Sequence, residues 1–188
     1  SISKSDLCSD LVGEYPDLQG IMGKYFALAQ GFEKDVANSV SDHYLPTGLT
    51  SELPKKPFSY SISIVDKIDT LVGFFVIDEK PTSSKDPFAL RRAAIGLLRI
   101  IIENKLSFKL RDIISYAIRL YQEQGVEIKN MKTEQQVLEF IKERMRNVLK
   151  LKNIKFDIIE ASISSHAGDN FLALYAKALL MNKYKNKG

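Results

Sequence analysis

Residues 87–104, PFALRRAAIGLLRIIIEN, form the longest nearly apolar segment of the sequence and limit the folds that the chain can adopt. Asp86 can accept the free N–H groups of a first helical turn, and Pro87 suits the first helical position. The segment is apolar on almost every side, so it predicts a buried central helix. Arg99 interrupts it before roughly 18 apolar residues accumulate, so we expect no membrane span.

Apolar residues recur at helical spacing along most of the remaining chain, which predicts an all-α fold. Only residues 60–65 and 73–77 show the alternation typical of a strand. A change to a more amphipathic and more basic sequence near 104–109 divides the chain into residues 1–104 and 105–188, either as two domains or as one domain with helices packed together. The predicted helices cover residues 6–12, 18–29, 33–44, 60–75, 87–104, 110–122, 133–149, 156–161 and 170–184.

The polar composition excludes several classes of protein. A single cysteine, Cys8, leaves no intramolecular disulfide, and no Cys/His cluster predicts zinc, so we expect a reducing compartment. The chain starts with Ser and ends in a Lys-rich segment, from which we expect a piece of a longer protein.

Charge is distributed unevenly. Residues 1–60 carry five basic and eight acidic residues, whereas residues 61–188 carry 22 basic and 15 acidic residues. The basic part can attract phosphate backbones, although solvated helix faces with a basic tail explain the same excess.

Carboxylates are the main candidates for chemistry. Asp6 and Asp10 share a helix face, as do Asp66 and Asp69, and two such faces could hold a divalent cation. A transition-metal site would normally add histidines, but neither His43 nor His166 has a spacing that requires pairing. Helix caps and ion pairs with Lys67 or Arg91 explain these carboxylates better than a metal does.

The motif SSKDPFALRRAA, residues 83–94, is the most specific local pattern. Arg91 and Arg92 fall one turn into the predicted helix, and Arg99 lies on the same face as Arg92. A guanidinium on an apolar helix requires a partner, because burying a bare charge costs several kcal/mol. That partner is either a carboxylate of the helix that carries Asp66 and Asp69 or a phosphate from outside the chain.

Three segments in order resemble the beta subunit of the bacterial tetrameric glycyl-tRNA synthetase. They are DLVGEYPDLQGIMGKYFAL at 10–28, DKIDTLVGFF at 66–75 and PTSSKDPFALRRAAIGLLRIIIE at 81–103, with VSDHYLP at 40–46 also similar. Residues 105–188 resemble the family more loosely.

The resemblance implies a helical region similar to HD domains, followed by further helices. It implies a non-catalytic, structural and tRNA-contacting part of a cytoplasmic enzyme that attaches glycine to tRNA(Gly). The implied partners are the alpha subunit, a second beta subunit and the tRNA. The whole enzyme uses ATP and Mg, but we expect no cofactor in this region.

The same resemblance assigns two HD positions, Asp6 and Asp66. The histidine of the His-Asp pair is replaced by Ser5, so we expect a degenerate site without a metal or catalytic residue. Two alternatives are an active HD-type metal-dependent phosphohydrolase and a pure subunit-assembly element. The candidate tRNA-binding residues are Lys85, Arg91, Arg92, Lys142 and Arg146.

Overall fold

A computed structural model describes residues 2–48, 50–82, 85–164 and 169–185. These residues form nine α-helices and no strand, so the all-α prediction is confirmed. The HD-like part of that prediction stays a prediction. The helices are α1 (Asp10–Glu14), α2 (Ile21–Ala29), α3 (Lys34–Asp42), α4 (Pro57–Val76), α5 (Leu90–Glu103), α6 (Leu110–Glu123), α7 (Thr133–Leu151), α8 (Phe156–Ile163) and α9 (Phe171–Lys185).

The strand-like alternation at residues 60–65 is misleading, because α4 runs through it without interruption. Ile64, Ile68, Leu71 and Phe75 are all buried at spacings of three and four residues. That period aligns them along one face of a helix, and the longer apolar stripe therefore decides the structure.

The first predicted helix is also wrong in its bounds. Residues Ser5–Cys8 form a 3₁₀ turn, and α1 begins only at Asp10. The Ser9 hydroxyl accepts a hydrogen bond from the Val12 N–H at 3.3 Å, so Ser9 caps the helix.

The chain divides into two compact units, Ser1–Asp66 and Lys67–Gly188. The predicted domain boundary near 104–109 lies inside the second unit and stays a prediction. No helix of the described ranges is both long enough and apolar enough to cross a bilayer.

In the first unit, α2 packs on α3 at very short range. Ala27, Ala37 and Val40 form the buried contact. Gly23 permits this approach, because a Cβ atom there would lie 2.7 Å from Val40 Cγ1.

In the second unit, α5 is the buried central helix that the sequence predicts, and it packs on α7 and α9. Its fully buried residues include Leu97, Leu98 and Ile100. The predicted start at Pro87 is wrong by three residues, since the helix begins at Leu90.

Tyr121, in the same unit, is expected to make the free energy of unfolding vary with pH in the alkaline range. The Tyr121 hydroxyl donates to Asp69 Oδ1 at 2.8 Å. Burial, together with the hydrogen bond and charge of Asp69, raises the pKa of Tyr121 well above its ordinary value of 10.0.

We therefore expect the free energy of unfolding to fall as pH rises above about 10, where the unfolded phenol ionises and the folded one stays protonated. Urea denaturation at several pH values between 8 and 11 measures this slope. Tyr121→Phe removes the ionisable group and should make the slope shallower. A slope that is unchanged in Tyr121→Phe would contradict the assignment.

Candidate functional site

Asp6 is fully buried and accepts a hydrogen bond from the backbone at the start of α2. Its Oδ2 accepts a hydrogen bond from the Gly20 N–H at 2.6 Å, directly before the first residue of α2. Gly20 has φ +78, and a Cβ there would lie 2.8 Å from a ring carbon of Tyr44. The carboxylate therefore occupies the positive end of the helix, where a negative charge is stabilising.

Asp66, the second HD position, is neutralised by a lysine. Lys4 Nζ lies 2.5 Å from Asp66 Oδ1, and the Asp66 side chain is 21% exposed. Burial raises the pKa of the nearby Tyr44, an interaction with Gln19 lowers it, and the charge of Asp66 is among the smaller influences that raise it. The carboxylate thus belongs to a mixed-charge cluster rather than to a group of acids alone.

His43, the imidazole considered in the first unit, is a buried residue. The ring is fully buried, and its Nδ1 lies 2.8 Å from the carbonyl oxygen of Val40, a geometry that requires a proton on Nδ1. The ring also contacts that of Tyr44, with 3.9 Å between centroids. His43 is therefore part of the packing of the first unit. His166 lies outside the described residues.

These residues do not fit a metal centre of the HD type. Asp6 Oδ1 is buried without a hydrogen-bond partner among the described residues, but Oδ2 is engaged by Gly20 and Asp66 faces an ammonium group. Within the described ranges, no three His, Cys, Asp or Glu side chains come together as a possible metal site.

Asp86 accepts hydrogen bonds from the backbone at the start of the arginine-bearing helix α5. Its Oδ1 accepts from the Leu90 N–H at 2.8 Å, and its Oδ2 accepts from the Arg91 N–H at 3.0 Å. Asp86 thus satisfies the first turn of α5 as predicted, but from a loop, because Ala89 at φ 54 immediately precedes the helix. Ser83 and Ser84 lie outside the described residues.

Three basic candidates cluster around this start of α5. Arg91 is held within the turn: Nη2 donates to the Thr82 carbonyl oxygen, and Nη1 lies 3.8 Å from Asp86 Oδ2. Lys85 and Arg92 are exposed, and neither forms an ion pair with another described residue. These two cations are the ones most open to an external phosphate.

Arg144 on α7 joins this cluster, although the motif did not single it out. Its guanidinium lies 4.0 Å from the ring centroid of Phe140, one helical turn away. Burial lowers the pKa of Arg144, the charge of Glu143 raises it, and the charge of Arg91 lowers it. Arg144 Nη1 lies 3.8 Å from Glu143 Oε2, and the Arg144 side chain is only 12% exposed. The i, i+4 spacing of Phe140 and Arg144 was the available sequence signal.

Lys142 and Arg146, the two other candidates, have partners within the protein. Lys142 Nζ lies 2.8 Å from Glu139 Oε1. Arg146 forms two hydrogen bonds to Glu160, at 2.8 and 3.1 Å, and this pairing raises the pKa of Arg146. Their positive charges are therefore already balanced within the protein.

Arg99 forms an ion pair with a carboxylate. Its Nε lies 3.6 Å from Glu103 Oε1, one turn later on α5, and the side chain is 16% exposed. This carboxylate lies on α5 itself and not on the helix of Asp66 and Asp69 that the sequence suggested.

The chain is similar to one family of proteins over most of its length. The model of the family described as "Glycyl-tRNA synthetase beta subunit" matches residues 1–164. The glycine–tRNA ligase beta subunit of Rickettsia canadensis is 41% identical over 196 residues, covering 98% of this chain and 28% of the relative. That of Ruegeria sp. is 37% identical, covering 97% and 25%. That of Pseudomonas syringae pv. tomato is 47% identical over 145 residues, covering 77% and 21%. The chain thus spans about a quarter of the length of the curated relatives it matches.

Proposed function

Because this chain belongs to the glycyl-tRNA synthetase beta subunit family, we propose that it is a non-catalytic, structural and tRNA-contacting region of the ligase. The whole enzyme would use ATP and Mg to attach glycine to tRNA(Gly) in the cytoplasm. Its partners would be an alpha subunit, a second beta subunit and the tRNA.

The non-catalytic assignment is supported by what the two acidic HD positions do. Asp6 holds the start of α2 through Gly20, and Asp66 pairs with Lys4. Both carboxylates therefore stabilise the fold, and neither is left as part of an open acidic pair that could activate a water molecule.

The proposed tRNA contact is supported mainly by the exposure of Lys85 and Arg92 at the start of α5. Arg91 adds a guanidinium group to the same turn, partly balanced by Asp86, whereas Arg144 is largely buried and pairs with Glu143. An excess of cations at one end of a helix suits a phosphate backbone, and such contacts recognise the shape of an RNA more than its sequence.

A salt-dependent binding experiment tests this proposal. We expect the chain to bind a tRNA(Gly) transcript, and the double variant Lys85→Ala/Arg92→Ala to bind about 10-fold more weakly. Each lost phosphate contact should also reduce the slope of log K against log[salt] by about 0.7–0.9. Fluorescence anisotropy at 50 and 200 mM KCl measures both quantities.

Arg119→Ala is the matched control, because Arg119 is an arginine on α6 with a side chain that is 63% exposed. This variant should bind the transcript within twofold of wild type. Equal weakening by both variants would show a general charge effect. Binding that neither variant changes would contradict the interface, and no binding of the transcript would favour a purely assembling role for the region.

A further inference from the structure

Helix α9 has two apolar faces, of which only one is covered within the described part of the chain. Phe171, Leu174 and Ala178 form the buried face. A second stripe with spacings of three and four residues points away from that core, and all its members are exposed: Ala173, Ala176, Leu180 and Tyr184. An amphipathic helix at a protein surface needs only one apolar face, so the second face predicts a contact.

This outer stripe lines an apolar groove of about 770 Å³ between α8 and α9. Ala161, Ala173 and Ala176 contribute only methyl groups, which allows another backbone to approach closely. Leu180 and Tyr184, at 55% and 72% exposure, provide larger apolar surfaces farther along the groove. A long shallow surface with small and large apolar residues at helical spacing fits an amphipathic helix.

The charged residues of the groove define the partner further. Lys177 is exposed and forms no ion pair within the described ranges, whereas Lys185 pairs with Asp157. The groove therefore carries one uncompensated positive charge beside its apolar surface. A partner with carboxylates along the edge of its apolar face would complement it.

Two other occupants fit less well. A symmetric contact between two copies of the chain would bring together two surfaces that each carry the same uncompensated positive charge. An RNA would meet a surface made mainly of methyl, thioether and aliphatic groups, with few cations for its phosphates.

We propose that the α8–α9 groove binds an amphipathic helix of a protein partner, with acidic residues flanking the apolar face of that helix. This contact is separate from the RNA surface at the start of α5, so either one can fail without the other.

A peptide titration tests the proposal. The probe is a labelled 20-residue helical peptide with leucines on one face and glutamates on both flanks, and a second peptide carries lysines in place of the glutamates. We expect saturable binding of the acidic peptide by fluorescence anisotropy, with at least 10-fold weaker binding of the basic one. Leu180→Ser and Lys177→Glu should each weaken the binding of the acidic peptide at least fivefold.

Leu151→Ser is the matched control, because Leu151 is 69% exposed and does not line the groove. It should bind the acidic peptide within twofold of wild type, and circular dichroism should show the same helix content for all variants. No saturable binding, or equal weakening by Leu151→Ser, would overturn the proposal. A discrete dimer that forms in dilute solution in sedimentation experiments, and that Leu180→Ser abolishes, would also overturn it, by identifying a second copy as the occupant.

Discussion

Gly23→Ala is expected to lower the free energy of unfolding by about 1–3 kcal/mol, the usual cost of forcing extra volume into a packed contact. The added Cβ would lie 2.7 Å from Val40 Cγ1 and 3.0 Å from both Cγ and Oδ2 of Asp6. Relief of these contacts has to move α3 or the carboxylate that holds Gly20. Urea denaturation followed by circular dichroism measures the loss.

Gly13→Ala provides a control of opposite sign. Gly13 lies in α1, and no heavy atom lies within 4 Å of a Cβ placed there. Alanine in that helical position should raise the free energy of unfolding by up to about 1 kcal/mol, because it restricts the unfolded chain. If both variants changed stability in the same direction, the close approach of α2 and α3 at Gly23 would be wrong.

Leu97→Ala is expected to lower the free energy of unfolding by about 2–5 kcal/mol. Leu97 is fully buried on α5, the central helix of the second unit, and its truncation removes apolar contacts and leaves a cavity. Chemical denaturation at constant pH measures the difference from wild type.

The same substitution at an exposed leucine separates burial from helix propensity. Leu151→Ala, at the exposed end of α7, should change stability by no more than about 0.5 kcal/mol. A similar loss in both variants would mean that α5 is not the core of its unit.

Helical periodicity was sufficient to predict the fold class and the buried α5, because both depend on apolar residues repeated over many turns. Helix starts depend on single hydrogen bonds and were predicted less well. Pro87 suited a first helical position, yet the helix begins only at Leu90. Asp86 lies in the preceding loop and accepts hydrogen bonds from the N–H groups of Leu90 and Arg91. Sequence spacing alone does not show that a capping side chain bonds to a backbone N–H four residues later.

The candidate sites depended even more on contacts between distant residues. Sequence spacing placed Lys142 and Arg146 on a basic face, but the carboxylates of Glu139 and Glu160 balance them. The pairing of Arg146 with Glu160 joins two helices, so its partner could not be identified from α7 alone. The RNA-contact assignments for Lys85, Arg91, Arg92, Lys142 and Arg146, and the HD positions of Asp6 and Asp66, stay predictions.

The second apolar face of α9 also affects how the isolated chain behaves at high concentration. Leu180 and Tyr184 are exposed together with Ala173 and Ala176 on one stripe, and such a stripe favours colloidal self-attraction whenever its physiological cover is absent. Polar residues at Leu180 and Tyr184 would raise solubility with little change in thermal stability, because neither side chain belongs to the buried core.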